Sequence, residues 1–294
     1  MRSAERRAMR AAQVGMLVNL ILAIIKLIAG IVGHAYALVA DAIESTADIF
    51  SSLVVYGGLR IAAQPADHDH PYGHGRAEAL ASAFVALMLF GAAIGIAFEA
   101  IHGIRTPHHL PRAWTLAVLV GVIIVKQYLA GRVSRVGTET GSTAVIADAQ
   151  HHHSDVITST AAFIGISIAV IGGPGWEQAD DWAAIFAAVM ICYNGVKILR
   201  PAVDDLMDRL PKADVVQKIA SAATSVAEVR AIEKLKVRKV GLQYAVDLHV
   251  QAEPHMSLHD AHIVSGKVKG AIRAAMPTVD NVLVHMEPYE PISS

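Results

Sequence analysis

Polar residues thin out over six long stretches of this chain and return to an ordinary density after about residue 204. A bilayer core about 30 Å thick is crossed by roughly 20 apolar residues in a helix. Six runs meet that length: about Ala11 to Val32, Ala37 to Ala62, Ala77 to Ile101, Trp114 to Val133, Ala144 to Ile171 and Trp182 to Val203. The breaks between them include Gly33-His34, a polar stretch from Pro65 to Gly75, Thr106 to Pro111, and Gly172-Gly173-Pro174-Gly175. The second run differs from the others in carrying several polar residues.

Beyond Asp204 the period changes. A short amphipathic helix is predicted from about Ala213 to Ser225. Val229 to Val240 and Leu242 to Val250 alternate as half-buried strands do. Ser257 is placed to cap a helix from Leu258 to Ala275, and Val279 to Met286 reads as a last strand. The predicted fold is a membrane all-α domain of six helices over residues 1–204, then a small α+β domain (α-β-β-α-β) over 205–294.

Composition agrees with this division. Of 294 residues 54% are hydrophobic and 17% charged, where a soluble protein carries about a quarter charged. A net charge of −1 argues against nucleic acid as a partner. The single Cys192 excludes a disulfide framework or a thiolate cluster. Arg2, Arg6, Arg7 and Arg10 precede a run too long for a cleavable signal. Arg60, Arg76, Arg132 and Arg135 flank the even-numbered loops, which puts both termini in the cytoplasm.

The 15 histidines are clustered, and they direct attention to metal chemistry. Glu44 and Asp48 in the second run, and His151 and Asp155 in the fifth, are each spaced i,i+4 and so share a helix face. Two such faces opposed supply four N/O ligands for a divalent ion. Ionisable groups inside a membrane are costly and are normally functional, paired or ligated. Asp41, Asp148, His152 and His153 are further candidates nearby, as ligands or as their supports. Asp67, His70 and His74 are candidates to converge on a metal in a loop made compact by Pro71 and Gly73; the alternative is a polar cytoplasmic turn. The soluble part carries His249, His262 and His285 with Glu233 and Glu287. Lys26 and Lys126 read as snorkelling side chains or tertiary partners, and Arg76 and Asp208 either as an interdomain charge interlock or as solvated juxtamembrane charges.

Three strings carry a family resemblance. Leu38-Val39-Ala40-Asp41-Ala42-Ile43-Glu44-Ser45 with Asp48, the loop Asp67-x-x-His70-Pro71-Tyr72-Gly73-His74-Gly75-Arg76-x-Glu78, and Ala147-Asp148-Ala149-Gln150-His151-His152-His153-Ser154-Asp155-Val156 resemble the cation diffusion facilitators. The resemblance covers nearly the whole chain. It implies a homodimeric exporter in a lipid bilayer that exchanges a divalent metal for protons, with a metallochaperone-like cytoplasmic domain. It implies a transport site of Glu44, Asp48, His151 and Asp155, a loop site of Asp67, His70 and His74, and a cytoplasmic site of Glu233, His249, His262, His285 and Glu287 at the dimer interface. Glu44 stands where zinc members commonly have Asp or His, and Glu233 where some have His. The His151-His152-His153 run resembles magnetosome-associated members.

The expected substrate is Zn2+, with Fe2+ and Mn2+ next and Co2+ and Cd2+ compatible with the same donors; no organic cofactor is implied. The expected location is a bacterial plasma membrane or a specialised internal one. An imidazole changes charge near neutral pH, which suits exchange with protons. The chain is expected to be a transporter and not an enzyme. A membrane metal sensor that does not transport, and a membrane metalloenzyme, are the competing readings; an enzyme needs an open coordination position beside a substrate cleft.

Overall fold

The computed structural model describes the backbone of residues 3–106, 109–140 and 143–290, and their side chains except at 3–14, 52, 55, 56, 137, 139, 140 and 143–154. Six long helices come first: α1 (Ser3–Gly33), α2 (Tyr36–Ala62), α3 (Ala77–Arg105), α4 (Trp114–Thr140), α5 (Thr143–Gly172) and α6 (Gln178–Leu206). They are followed by α7 (Ala213–Thr224), β1 (Ala231–Val240), β2 (Gln243–Ala252), α8 (Leu258–Ala275) and β3 (Val279–Pro288). Among the described residues, five helices are long and apolar enough to cross a membrane, within α1, α3, α4, α5 and α6. At 27 residues α2 has the length for a sixth, and it carries Asp41, Glu44 and Asp48.

The chain divides into two compact units. The first comprises Met1–Val54 and Phe84–Ile198, the second Val55–Ala83 and Leu199–Ser294.

The first unit is built for an apolar solvent. Ile94 and Phe98 are each 70% exposed, while Lys26 is 0% and Lys126 1% exposed. Its core is rich in alanine, including Ala37, Ala40, Ala93, Ala162, Ala184 and Ala188. Small residues let membrane helices approach closely. A Cβ on Gly165 of α5 would lie 2.4 Å from the Ala183 Cβ on α6. The α1–α2 turn is tight, with His34 at φ 55°. Asp180 caps α2 by accepting the Tyr36 and Ala37 N–H groups at 2.6 and 3.0 Å.

In the second unit β1 and β2 form an antiparallel hairpin, and β3 joins β2 in parallel. Along β2, Val246, Leu248 and Val250 face inward with Ile219 and Ala223 of α7 and Val264, Val268 and Ile272 of α8. Period-two alternation turns Asp247, His249 and Gln251 to the other face. Ser257 caps α8, its hydroxyl accepting from the Asp260 N–H.

Candidate metal centres

The α2 acids follow one another around the helix into the first unit. Asp41 and Glu44 are buried and Asp48 is half-buried. Asp155 on α5 is also buried. The Asn194 side-chain amide on α6 donates to Glu44 Oε1 at 3.5 Å. Glu44 Oε2 is buried and has no hydrogen-bond partner among the described residues. A buried carboxylate oxygen without a donor is costly, so Glu44 is suited to a cationic ligand. The side chain of His151 lies outside the described residues, as do those of Asp148, His152 and His153; α5 is helical through this turn.

Neither lysine snorkels. The Lys26 ammonium on α1 is 3.0 Å from Asp41 Oδ1 and donates to the Asp41 carbonyl at 3.1 Å and Ser45 Oγ at 2.6 Å. The Ser159 hydroxyl on α5 donates to Asp41 Oδ2 at 2.8 Å. Asp41 therefore ties α1, α2 and α5 together with its charge already met. Lys126 on α4 donates to Asp155 Oδ2 at 2.5 Å. Burial forces both ammonium groups onto carboxylates, because an unpaired charge in a low dielectric is far costlier than a paired one.

The loop residues do converge. Asp67 Oδ1 accepts the N–H groups of Asp69 and His70 at 3.0 and 2.7 Å, an Asx turn that fixes its carboxylate. Gly73, at φ 77°, closes the following turn on the His70 carbonyl at 2.9 Å. His70 Nδ1 and His74 Nε2 then lie 3.2 and 3.4 Å from the Asp67 carboxylate, with ring centroids 4.4 Å apart. Hydrogen bonding, first from the His70 backbone, holds the Asp67 carboxyl below the usual carboxylate range. The two imidazoles and the carboxylate are close enough together to bind one ion. Next in sequence, Gly75 packs on the β1–β2 turn: a Cβ there would lie 2.6 Å from Val240 Cγ1 and 3.0 Å from the Val240 backbone.

A second trio sits on the open face of the sheet. His249 and His285 are register partners across β2 and β3, and Glu287 lies two residues further along β3. His249 Nδ1 is 2.6 Å and His285 Nε2 3.6 Å from Glu287 Oε1. The Glu287 carboxyl is held below its ordinary range by a hydrogen bond with Glu233, then by His249. Glu233 thus borders the trio, at the irregularity in β1 between Ile232 and Leu235. His262 does not join it. It lies on α8, whose buried residues pack against the other face of the sheet. Helix and strand spacing alone could not reveal that separation.

Arg76 and Asp208 meet, with Arg76 Nη2 donating to Asp208 Oδ1 at 2.7 Å and Nη1 to the Leu206 carbonyl at 3.1 Å. Both residues belong to the second unit. Asp208 adopts φ 54° just after α6 ends.

A helix bundle that exposes isoleucine and phenylalanine while burying lysines on carboxylates is a membrane protein. Residues 12–207 match the cation efflux transmembrane domain, and residues 211–289 match the cytoplasmic domain of cation efflux proteins. The chain belongs to the cation diffusion facilitator family of cation efflux proteins. Its relatives include the manganese efflux system protein MneP of Bacillus subtilis, 29% identical over 97% of each chain. The magnetosome protein MamM of Paramagnetospirillum magneticum is 30% identical over 94% of this chain and 87% of its own. The cation-efflux pump FieF of Shewanella oneidensis is 29% identical over 90% of this chain and 89% of its own.

Proposed function

We propose that this protein exports a divalent transition metal from the cytoplasm in exchange for protons, by alternating access of a site formed by Glu44, Asp48, His151 and Asp155. The observation that carries this reading is the buried Glu44 carboxylate, whose Oε2 lacks a hydrogen-bond donor among the described residues, inside a membrane unit that also buries Asp155. The metal is the substrate. Its ligands lose protons to bind it from the inside, and protons compete for the same groups on the outside. Imidazole and carboxylate donors suit Zn2+ first, with Fe2+ and Mn2+ next. The likeness to a manganese efflux protein supports keeping Mn2+ in that set.

Residues 1–204 are the transport domain in this reading, and residues 205–294 a cytoplasmic domain through which two copies pair in a bacterial plasma membrane. Asp67, His70 and His74 form a loop site. Glu233, His249, His285 and Glu287 form a cytoplasmic site, to which His262 contributes only from a second copy, since it lies apart from the trio in its own chain. Metal on that site shifts the dimer toward the transporting state. Arg76 and Asp208 lock the loop region to the start of the cytoplasmic domain.

The test is flux of Zn2+, Fe2+ and Mn2+ into proteoliposomes under a pH gradient, with an internal proton readout. Metal movement with opposing proton movement is expected, abolished by Asp155→Ala. Absence of flux for every metal, or wild-type flux in Asp155→Ala, refutes the reading.

A further inference from the structure

The two buried lysines of the membrane unit are held in different ways. Lys26 is fixed at three acceptors, the Asp41 carboxylate, the Asp41 carbonyl and Ser45 Oγ, and its carboxylate partner is fixed again by Ser159. Lys126 has one acceptor among the described residues, Asp155 Oδ2 at 2.5 Å. Among the described residues, Lys26 is thus held on several sides and Lys126 at a single acceptor.

Asp155 is the α5 carboxylate that the transport reading assigns to the substrate metal, and the inference here rests on that reading. A divalent ion binds a carboxylate oxygen at about 2.0–2.2 Å. With the Lys126 ammonium on the same carboxylate, ammonium and metal would repel each other at close range in a buried site, where repulsion is poorly screened. Lys126 supplies a positive charge to the buried Asp155 in the metal-free protein. An ammonium on a flexible four-carbon stem can leave and return, which a planar guanidinium forked onto a carboxylate does far less readily.

We propose that Lys126 is a tethered stand-in for the substrate metal. Its ammonium occupies Asp155 while the carrier is empty, withdraws when the metal binds, and returns as the metal leaves. The empty carrier keeps its buried charge compensated, and the returning ammonium competes with the metal for Asp155 and so speeds release. Lys126 weakens metal binding in order to make the carrier turn over.

The opposite role has the opposite sign. If Lys126 only orients Asp155 from behind, removing it loosens a ligand and weakens metal binding. The experiment is equilibrium binding of Zn2+ to the full-length protein in detergent, comparing wild type, Asp155→Ala, Lys126→Met and Lys126→Gln. The quantity read is the Kd of the component that Asp155→Ala removes. Lys126→Met is expected to tighten it roughly tenfold, and release from preloaded protein to slow by a similar factor. Lys126→Gln, which keeps a polar head group in case the methionine variant does not fold, is expected to shift it in the same direction. An unchanged or weakened Kd in the folded variants overturns the proposal even if wild-type flux is normal. If Asp155→Ala removes no bound Zn2+, the assignment of substrate to Asp155 falls and takes the proposal with it. If Asp155-dependent binding tightens as expected but no metal crosses the liposome membrane, the exchange on Asp155 stands and the transport reading alone fails.

Discussion

His249 and His285 stand opposite each other on neighbouring parallel strands, and both imidazoles approach the same oxygen of Glu287, at 2.6 and 3.6 Å. Glu287 is held below its ordinary pKa, by Glu233 first and His249 next. A carboxyl depressed in the folded state stabilises the fold fully above its unfolded pKa, about 4.3 for Glu, and ceases to as pH falls through the lower folded value. In chelator, the thermal midpoint of the full-length Glu287→Gln protein should therefore lie below wild type at pH 6. The gap should close as the pH is taken down through 4. A gap that stays constant from pH 6 to pH 3 would contradict this origin for the depression.

The Asp67 carboxyl is also depressed, by the His70 backbone first, so it is already ionised when a metal arrives at the loop. The Asp67 carboxyl should then release no proton on binding. Calorimetry at pH 5.5 in two buffers of different ionisation enthalpy, with the C-terminal trio and the transport-site Asp155 both removed, reads the proton count at the loop. Asp67→Asn should weaken binding about tenfold or more, in line with the loss of one ligand or its support, with the proton count unchanged.

Removing one partner of a buried pair is worse than removing both. Asp41→Ala leaves the Lys26 ammonium buried without its carboxylate and should cost about 3 kcal/mol or more. Lys26→Met with Asp41→Ala should recover much of that loss in thermal unfolding of the detergent-solubilised protein. A double variant less stable than Asp41→Ala would show that the lysine is held mainly by the Asp41 carbonyl and Ser45.

Arg76 touches a carboxylate and a helix-terminal carbonyl, whereas Asp208 touches only the guanidinium in this contact. The pair is partly exposed, so its charge–charge part is worth about 1 kcal/mol at most. Arg76→Ala should therefore cost more than Asp208→Ala, and a double-mutant cycle should return a coupling energy below the cost of Arg76→Ala alone. Equal single costs would mean that the Leu206 carbonyl contact contributes nothing.

Gly75→Ala places a methyl 2.6 Å from Val240 Cγ1 and 3.0 Å from the Val240 carbonyl oxygen. Overpacking against backbone costs about 1–3 kcal/mol. The expected result is a lower thermal midpoint together with weaker metal binding at the loop, since His74 is the preceding residue. Metal binding that is unaffected would show that the loop holds its shape without the hairpin.

Most of the element pattern was legible in the sequence because two simple periods carry it. Runs of apolar residues gave six helices whose observed ends extend beyond the expected ones, as at Thr140, where α4 continues past the apolar run through charged turns. The alternation of β2 predicted that His249 and Val250 face opposite ways. It could not say which strand β3 would join, and so did not put His285 beside His249. The loop trio was legible because Pro71 and Gly73 shorten the path between its members. The lysine pairings were not, because Lys126 and Asp155 meet through the packing of α4 on α5, a rotation about each helix axis that no local spacing specifies. The Asp180 cap on α2 was missed for the same reason: its partners lie 143 and 144 residues away in the chain.

The chain passes between its two compact units three times, at residues 54/55, 83/84 and 198/199, each time within a continuous helix and never in a linker. A cut at residue 204 therefore does not release an intact module. It leaves residues 55–83 on the other side of the cut, and with them the glycine that packs on Val240. A soluble fragment beginning at 205 carries the sheet and its histidines, but with a hairpin face stripped of its natural cover. The β1–β2 turn of such a fragment lacks the Gly75 backbone that packs on Val240 in the whole chain.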